Sequence, residues 1–400
     1  MESWPPPLKR HWPLAGFAVL CGLYGWALVI ATGSGHDGVI GPHFNALGAD
    51  WVIFLAAARA IFGHDLSHIY DQAWITNATN GQFAHWLSSP LPFPLFPYPP
   101  LYLLLVAPFA LLPVAWSLLL SQLAQFALLA WGLRRLAPNN SYLFLLLGGC
   151  LAPAASNNVL AGSNAVLVAA LTVSGFALVG TRPLLAGALL GVLVFKPHYA
   201  PLPFLALLAM GGGRAFAAAI ASAAALCLLS ALLFGPQIWL DWMNVYLQPQ
   251  TVSGVNATDW GHIWDESVST CLSILGAPHW LATAGQGLAI LAAIAVTWWA
   301  FRARHSQRLA ILCCAMLLAS PHVSNYDLIL AAMAALLAVR ALPESSRPLA
   351  LVLPLAIWVA PLYNPPRAMP LGLVTPVLLL GLVAVLFRQK LAQNPLQLRG

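Results

Sequence analysis

Apolar runs of about 20 residues recur along the whole chain, and short polar segments separate them. A helix of that length crosses the hydrocarbon core of a bilayer, which is about 30 Å thick. The pattern predicts an all-α polytopic membrane protein in which residues 1–400 form one integral membrane domain. We expect about twelve membrane-spanning helices, over residues 12–32, 114–133, 141–155, 163–180, 183–196, 198–212, 214–234, 283–301, 308–320, 326–341, 348–362 and 371–388.

The direction of these crossings follows from the arginines, because positively charged residues favour the cytoplasmic side of a membrane. Arg134, Arg135 and Arg182 all reach that side only if the apolar run at 99–113 does not cross. Prolines open and interrupt this short run, so we expect a shallow or re-entrant helix on the outer side. Both termini are then cytoplasmic, and the expected location is a bacterial inner membrane.

The composition agrees with this topology. The chain is 60% apolar and only 7% charged, with a formal net charge of +6, whereas soluble domains carry about 25% charged residues. The excess of basic residues is explained by the cytoplasmic loops, so we expect no nucleic acid partner. The six cysteines show neither a disulfide framework nor a metal-ligand spacing. We expect no metal and no other cofactor.

Two long outer loops, 33–98 and 235–282, are rich in aromatic and acidic residues and nearly free of lysine and arginine. In the first loop we expect interfacial helices, followed by an extended proline-rich segment at 88–100. A carrier does not need two such loops, whereas an enzyme that acts at the outer face can use them to hold its substrates.

Asp50 lies in the first of these loops and opens an apparently amphipathic segment that ends at Phe62. A charged side chain costs about 2.5 to 3.5 kcal/mol at a bilayer centre, so a carboxylate beside a membrane segment needs a reason. One interpretation is a helix N-cap or a solvated carboxylate in a first helical turn. The other is a general base, with Arg59, the only basic residue of the segment, as a candidate substrate contact.

A second candidate is Lys196-Pro197-His198, at the outer end of an apolar run where basic residues are otherwise absent. Pro197 opens the helix there, which membrane proteins tolerate mainly beside cavities. A buried lysine is a suitable partner for a phosphate group. The alternative is a lysine that extends its ammonium group to the membrane surface.

Two further polar turns are expected on the same face. The turn at 320–327 contains His322, which is suited to proton transfer or phosphate contact, and Asp327, which could orient it or a sugar. The turn at 162–164 ends at Asn164, whose amide can bind sugar hydroxyls. Each could also be a structural turn, because glycine, asparagine and aspartate favour turns and helix starts.

Several of these segments together resemble glycosyltransferase family 87, which includes polyprenyl-phosphate-mannose-dependent mannosyltransferases. The segments that carry the resemblance follow in chain order: Asp50, Gly63–Tyr70, Tyr98-Pro99-Pro100-Leu101, Phe195-Lys196-Pro197, Ser320-Pro321-His322 and Tyr326-Asp327. The resemblance implies a GT-C fold whose active site lies where the first outer loop meets the membrane. It also implies a lipid-monophosphate sugar donor and inversion at the anomeric carbon.

Carried over to this chain, the resemblance implies that Asp50 is the catalytic base. Lys196 and His322 then resemble contacts to the donor phosphate or sugar, and Tyr98 resembles part of the lining. The remaining candidates for donor binding are His198, Asp327, Asn164 and Arg59.

The function expected from the sequence is transfer of a sugar from a polyprenyl-phosphate donor to a glycolipid or glycan acceptor. Mannose, another hexose or a pentose could be the sugar, and membrane lipids are the surrounding partners. The alternative is a secondary transporter or flippase that uses Lys196, His198 and Asp327 as a substrate path.

Overall fold

The computed structural model describes residues 4–33, 47–63, 65–87, 89–91, 94–137, 141–247, 265–362 and 374–388. Within these ranges the chain is helical and contains no β-strand. The first half contains α1 (Pro6–Arg10), α2 (Trp12–Gly33), α3 (Ala49–Gly63), α4 (Gln72–Gln82), α5 (Tyr102–Val106), α6 (Val114–Leu136), α7 (Ser141–Leu151), α8 (Pro153–Ala161), α9 (Ala165–Leu178) and α10 (Pro183–Gly191). The second half contains α11 (Pro201–Ala209), α12 (Gly213–Phe234), α13 (Gln237–Leu247), α14 (Val268–Ile274), α15 (His279–Arg302), α16 (Arg308–Ala319), α17 (Ile329–Arg340), α18 (Leu349–Val359) and α19 (Val374–Arg388). Short 3-10 turns occur at Leu66–His68, Ala107–Phe109, Val192–Phe195, Pro197–Tyr199 and Ala360–Leu362.

In the described residues, four helices are long and apolar enough to cross a membrane: α2, α6, α12 and α15. A fifth span results if α7 and α8, which meet at a 51° bend, are taken together. The expected count of about twelve spans is therefore not confirmed. Six of the other expected ranges contain apolar helices of only 10 to 17 residues, and the range 198–212 contains only α11, which has nine residues. Such helices are too short to cross an untilted bilayer alone.

The run at 99–113 forms only α5 and a 3-10 turn, and neither piece is long enough to cross a bilayer. Parts of the two long loops lie outside the described residues, namely 34–46, 64, 88, 92–93 and 248–264. The described part of the first loop holds α3 and α4, and that of the second holds α13 and α14.

From Trp51 to Ala58 helix α3 is buried on every side, so the expected amphipathic pattern is wrong for this part of the helix. All residues from Trp51 to Ala58 are buried, as is Ala60. The helix is enclosed because α4, α5, α8 and the 3-10 turn after α5 all pack against it. The aromatic residues of this segment therefore form core contacts: Phe54 packs edge-on against Tyr98 and Tyr102.

Two glycines bring the start of α3 against the end of α8. Gly162, at φ +68°, ends α8, and Gly48, at φ +72°, precedes α3. A Cβ atom on Gly162 would lie 2.6 Å from Trp51 Cβ and 2.9 Å from Gly48 Cα. The Gly48 amide also donates a 2.7 Å hydrogen bond to the Leu160 carbonyl. Only glycine permits both this backbone conformation and this close approach.

Candidate active site

Four interruptions between helices meet at one place. They are the start of α3, the break between α8 and α9, the break after α10, and the turn between α16 and α17. Three of these breaks contain Gly162, Pro197 or Pro321. Proline has no backbone N–H to continue the hydrogen bonding of a helix, and glycine readily adopts the left-handed conformation that ends one. The polar side chains at these breaks therefore point into a shared cluster within an otherwise apolar protein.

The centre of the cluster is a buried ion pair. Lys196 Nζ lies 2.6 Å from Asp327 Oδ1, and their side chains are 5% and 1% exposed. Asp327 Oδ2 accepts a 3.1 Å hydrogen bond from the Ser324 amide, which fixes the carboxylate to its own turn. The Lys196 ammonium also lies 5.2 Å from the Tyr199 ring and 5.6 Å from the Tyr326 ring. The Lys196 side chain is thus enclosed by protein and held by these contacts, and its ammonium group does not extend to the protein surface.

Asp50 occupies the first turn of α3, beside this ion pair. Its Oδ2 atom is enclosed by protein and has no hydrogen-bond partner among the described residues. Burial raises the pKa of Asp50, while the nearby Tyr326 and Ser163 hydroxyls and Lys196 offset part of that rise. Asp50 is therefore not a solvated charge, and its Oδ2 atom does not cap the helix.

Other buried polar atoms in this cluster also lack a hydrogen-bond partner within the described ranges. They are Ser163 Oγ, Asn164 Nδ2, His198 Nε2 and Tyr199 OH. Buried polar groups in native proteins are normally hydrogen-bonded, so such a concentration of free donors and acceptors needs an explanation. A polar ligand that enters the cluster would satisfy these atoms.

An aromatic wall borders this polar cluster. The Tyr98 hydroxyl donates a 3.3 Å hydrogen bond to Asn164 Oδ1. The Tyr98 and Tyr102 ring centroids lie 4.4 Å apart, and the Tyr102 ring stacks on Phe195 at 5.3 Å. Phe195 directly precedes Lys196, so this stacking fixes the backbone from which the lysine extends.

His322 is held by a carboxylate from the second long loop. Its Nδ1 atom lies 3.4 Å from Asp265 Oδ2. Asp265 Oδ1 accepts 2.9 Å hydrogen bonds from the Ser267 amide of its own loop and from the Val323 amide, and the bond from Val323 anchors the carboxylate to the turn that carries His322. Partial desolvation lowers the pKa of His322, but the hydrogen bond and the charge of Asp265 raise it more, so the net shift is upward. The ring is 57% exposed, and solvent therefore weakens this shift.

His198 has the opposite electrostatic character. Burial, followed by repulsion from Lys196 and His322, lowers its pKa well below the ordinary value of 6.5. These surroundings favour the neutral imidazole, in which one ring nitrogen donates a hydrogen bond and the other accepts one. Among the histidines near the ion pair, only His322 has its positively charged form favoured by its surroundings.

Arg59 is the one candidate that the structure does not bring into the cluster. It lies nine residues after Asp50 on α3, which is about 13 Å along the helix axis. Its guanidinium donates to the Ala110 carbonyl at 2.9 Å and to the Leu112 carbonyl at 3.3 Å. It also lies 4.8 Å from the centre of the Phe83 ring. These contacts favour a structural role for Arg59.

One comparison with known proteins identifies a family. The model of glycosyltransferase family 87 matches residues 96–321, which is 226 of the 400 residues. The chain belongs to glycosyltransferase family 87. The segment of the chain that matches the family model contains Tyr98, Asn164, Lys196 and His198. No curated protein matches the chain, and no solved structure matches it either.

Asp50, Arg59, His322 and Asp327 lie outside the segment that matches family 87. The geometry described above places Asp50, His322 and Asp327 in the site, whereas it places Arg59 outside. Within the described part of the chain, no group of three or more histidine, cysteine, aspartate or glutamate residues is arranged to hold a metal ion. Independence from a metal cofactor stays a prediction.

Sequence reasoning missed several residues of the cluster. Tyr199, Tyr326 and Ser163 each directly follow or precede a predicted site residue, so their positions alone could have nominated them. Asp265 is harder to find, because its position beside His322 depends on the packing of the second loop. Its neighbour Glu266 accepts a 2.6 Å hydrogen bond from Thr375, and burial raises the pKa of Glu266 to about 7.

Proposed function

We propose that this chain is an inverting glycosyltransferase that uses a polyprenyl-phosphate sugar as donor and Asp50 as general base. The observation that carries the proposal is the enclosed Asp50 carboxylate, whose Oδ2 atom lacks a hydrogen-bond partner in the described residues and which stands beside the Lys196–Asp327 ion pair. A glycolipid or glycan is the proposed acceptor. The proposed location is the outer face of a bacterial inner membrane, with both termini in the cytoplasm.

The proposed reaction is a single displacement. The acceptor hydroxyl gives its proton to Asp50 as its oxygen forms a bond to the anomeric carbon. The bond from that carbon to the phosphate oxygen breaks, and the electron pair leaves with the lipid phosphate. A base is most effective when its pKa lies near the working pH. The raised pKa of Asp50 moves it in that direction.

The leaving phosphate requires positive charge, which Lys196 and His322 are proposed to supply. An ammonium group has three donors, and the ion pair with Asp327 uses one of them. Asp327 thereby limits the directions in which the remaining donors can point. Donors aimed at developing charge contribute strongly to catalysis in a site that excludes water.

A lipid-linked donor suits the described architecture. The cluster lies between helix ends of a chain whose helices include several with the length and composition of membrane spans. The sequence contains no phosphate-binding glycine-rich loop between a strand and a helix, as a nucleotide-sugar enzyme with a Rossmann fold would. Membership of a glycosyltransferase family sets aside the carrier alternative, and the same buried charges then serve transfer instead of transport.

The test is a transfer assay with purified protein in detergent or nanodiscs. The protein is incubated with radiolabelled polyprenyl-phosphate mannose, glucose or arabinose and an extract of total membrane lipids and glycans. The proposal predicts a labelled product with one of these donors and none with the corresponding nucleotide sugars. Transfer from a nucleotide sugar alone would contradict it. Inversion is checked by determining the anomeric configuration of the product.

A further inference from the structure

A cavity at the far end of α6 and α9 contains two arginines that the proposed reaction does not use. The cavity has a volume of about 770 Å³, and its lining includes Trp131, Arg134, Arg135, Tyr142, Leu146 and Leu178. Helix α9 begins beside Asn164 and ends at Leu178, which places the cavity about 20 Å along the helix from the candidate active site. The cavity is thus separate from that site.

The arginines at this cavity are held by aromatic rings. Arg134 lies 4.8 Å from the centre of the Tyr142 ring, and Arg135 lies 5.7 Å from the centre of the Trp131 ring. The two ion pairs found among the described residues are Lys196–Asp327 and His322–Asp265. Neither arginine of the cavity therefore has a carboxylate partner there. Stacking orients a guanidinium group while leaving its N–H donors free to bind an anion.

Thr181 also lines the cavity, and much of the remaining lining is apolar. Leu146, Leu178 and two alanines, Ala130 and Ala177, contribute hydrocarbon surface beside the two positive charges. A ligand that satisfies both parts has an anionic phosphate group joined to a hydrocarbon chain. Basic pockets between membrane helices on the cytoplasmic side bind anionic lipid headgroups in this way. The positive-inside rule places Arg134 and Arg135 on that side.

We propose that this cavity binds an anionic glycerophospholipid, with its phosphate on Arg134 and Arg135 and one acyl chain along Leu146 and Leu178. The simplest alternative is that the two arginines only orient α6 in the membrane. That alternative requires positive charge at this helix end, but it requires neither the cavity nor selectivity among lipids.

The experiment compares lipids bound to the purified full-length protein. The protein is equilibrated with equal amounts of dioleoyl phosphatidylglycerol and dioleoyl phosphatidylcholine, and retained lipid is counted by native mass spectrometry. The unmodified protein should retain phosphatidylglycerol preferentially. Arg134→Gln together with Arg135→Gln should weaken that binding about thirtyfold, if each charge contributes as basic residues at an anionic membrane surface do.

A charge-matched control is available at the end of α15. Arg302 and Arg304 are also exposed and also lie on the predicted cytoplasmic side. Arg302→Gln together with Arg304→Gln removes the same charge and should leave the lipid preference unchanged. Equal loss in both double variants would overturn the proposal in favour of general surface attraction.

Two further measurements separate the remaining outcomes. Leu146→Trp keeps both charges but fills the acyl part of the cavity, so it should also reduce phosphatidylglycerol retention. This variant tests the proposal even if the double arginine variant fails to fold.

Competition with glycerol phosphate and with inorganic phosphate distinguishes a lipid from a free anion. Displacement at equal concentration by either small anion would overturn the lipid assignment.

Discussion

Replacing Lys196 by methionine tests what the buried ion pair contributes. The substitution preserves most of the side-chain volume but leaves Asp327, which is 1% exposed, without its counter-ion. The Ser324 amide remains as a hydrogen-bond donor to the Asp327 carboxylate. Removing one partner of a buried pair costs about 3 to 5 kcal/mol, because the other charge stays buried and uncompensated. That cost is a large share of the free energy of unfolding of a typical domain, which is about 5 to 15 kcal/mol.

The variant Lys196→Met with Asp327→Asn removes both charges and should recover most of the lost stability. Thermal unfolding in detergent, followed by tryptophan fluorescence, measures the two single variants and the double variant as a cycle. Donor affinity and sugar transfer are measured on the same preparations. We expect the double variant to be nearly as stable as the unmodified protein but to bind the lipid donor weakly.

Two results would refute this reasoning. Additive stability losses in the cycle would show that the two charges do not interact. Full recovery of donor binding in the double variant would show that Lys196 acts only on folding and does not contact the phosphate.

Three other substitutions probe the surroundings of the site. Gly162→Ala should lower the free energy of unfolding by at least about 2 kcal/mol. Alanine is strained in the left-handed backbone conformation, and its Cβ atom would lie too close to the chain at the start of α3. Gly211→Ala is the control, because Gly211 lies at φ +77° with open space around it. This variant should lower the free energy of unfolding only through the backbone strain. Asp265→Asn should lower the pKa of His322, so that the loss of donor affinity with rising pH occurs at a lower pH. Arg59→Met should lower the thermal midpoint while leaving donor affinity unchanged in the folded protein.

The sign of the histidine prediction follows from linkage. The folded state raises the pKa of His322, so the stabilising pair with Asp265 is fully present below the ordinary pKa of about 6.5 and is lost as pH rises through the raised value. A titration of donor affinity between pH 5 and 9 measures this midpoint. An unchanged midpoint in Asp265→Asn would show that the carboxylate does not control His322. A loss of donor affinity in Arg59→Met would restore the prediction that Arg59 binds the donor.

Much of the cluster could be predicted because helix breaks and charges leave clear marks in a sequence. Pro197 and Gly162 interrupt apolar runs, and Lys196 stands where basic residues are otherwise absent. The charge rule predicted that the polar turns share one face, and the structure brings Asp50, Lys196 and Asp327 together. These features depend on local backbone chemistry and on membrane electrostatics, which are both readable along the chain.

The features that depend on packing could not be predicted in the same way. Hydropathy shows where apolar helices occur, but it does not give the lengths at which they end, so the count of about twelve spans is not confirmed. The burial of α3 on every side from Trp51 to Ala58 results from the helices around it. Asp265 reaches His322 across 57 positions of sequence, and no spacing rule connects such residues.

The most direct test of the central claim is sugar transfer by Asp50→Asn at matched donor occupancy. The amide has nearly the same shape as the carboxyl, and burial already disfavours the charged form of Asp50, so the variant should unfold at or above the thermal midpoint of the unmodified protein. With donor binding intact, loss of the base predicts a fall in the transfer rate of about 10² to 10⁴-fold. A variant that is folded, binds the donor and transfers sugar within about tenfold of the normal rate would contradict the assignment of Asp50 as the base.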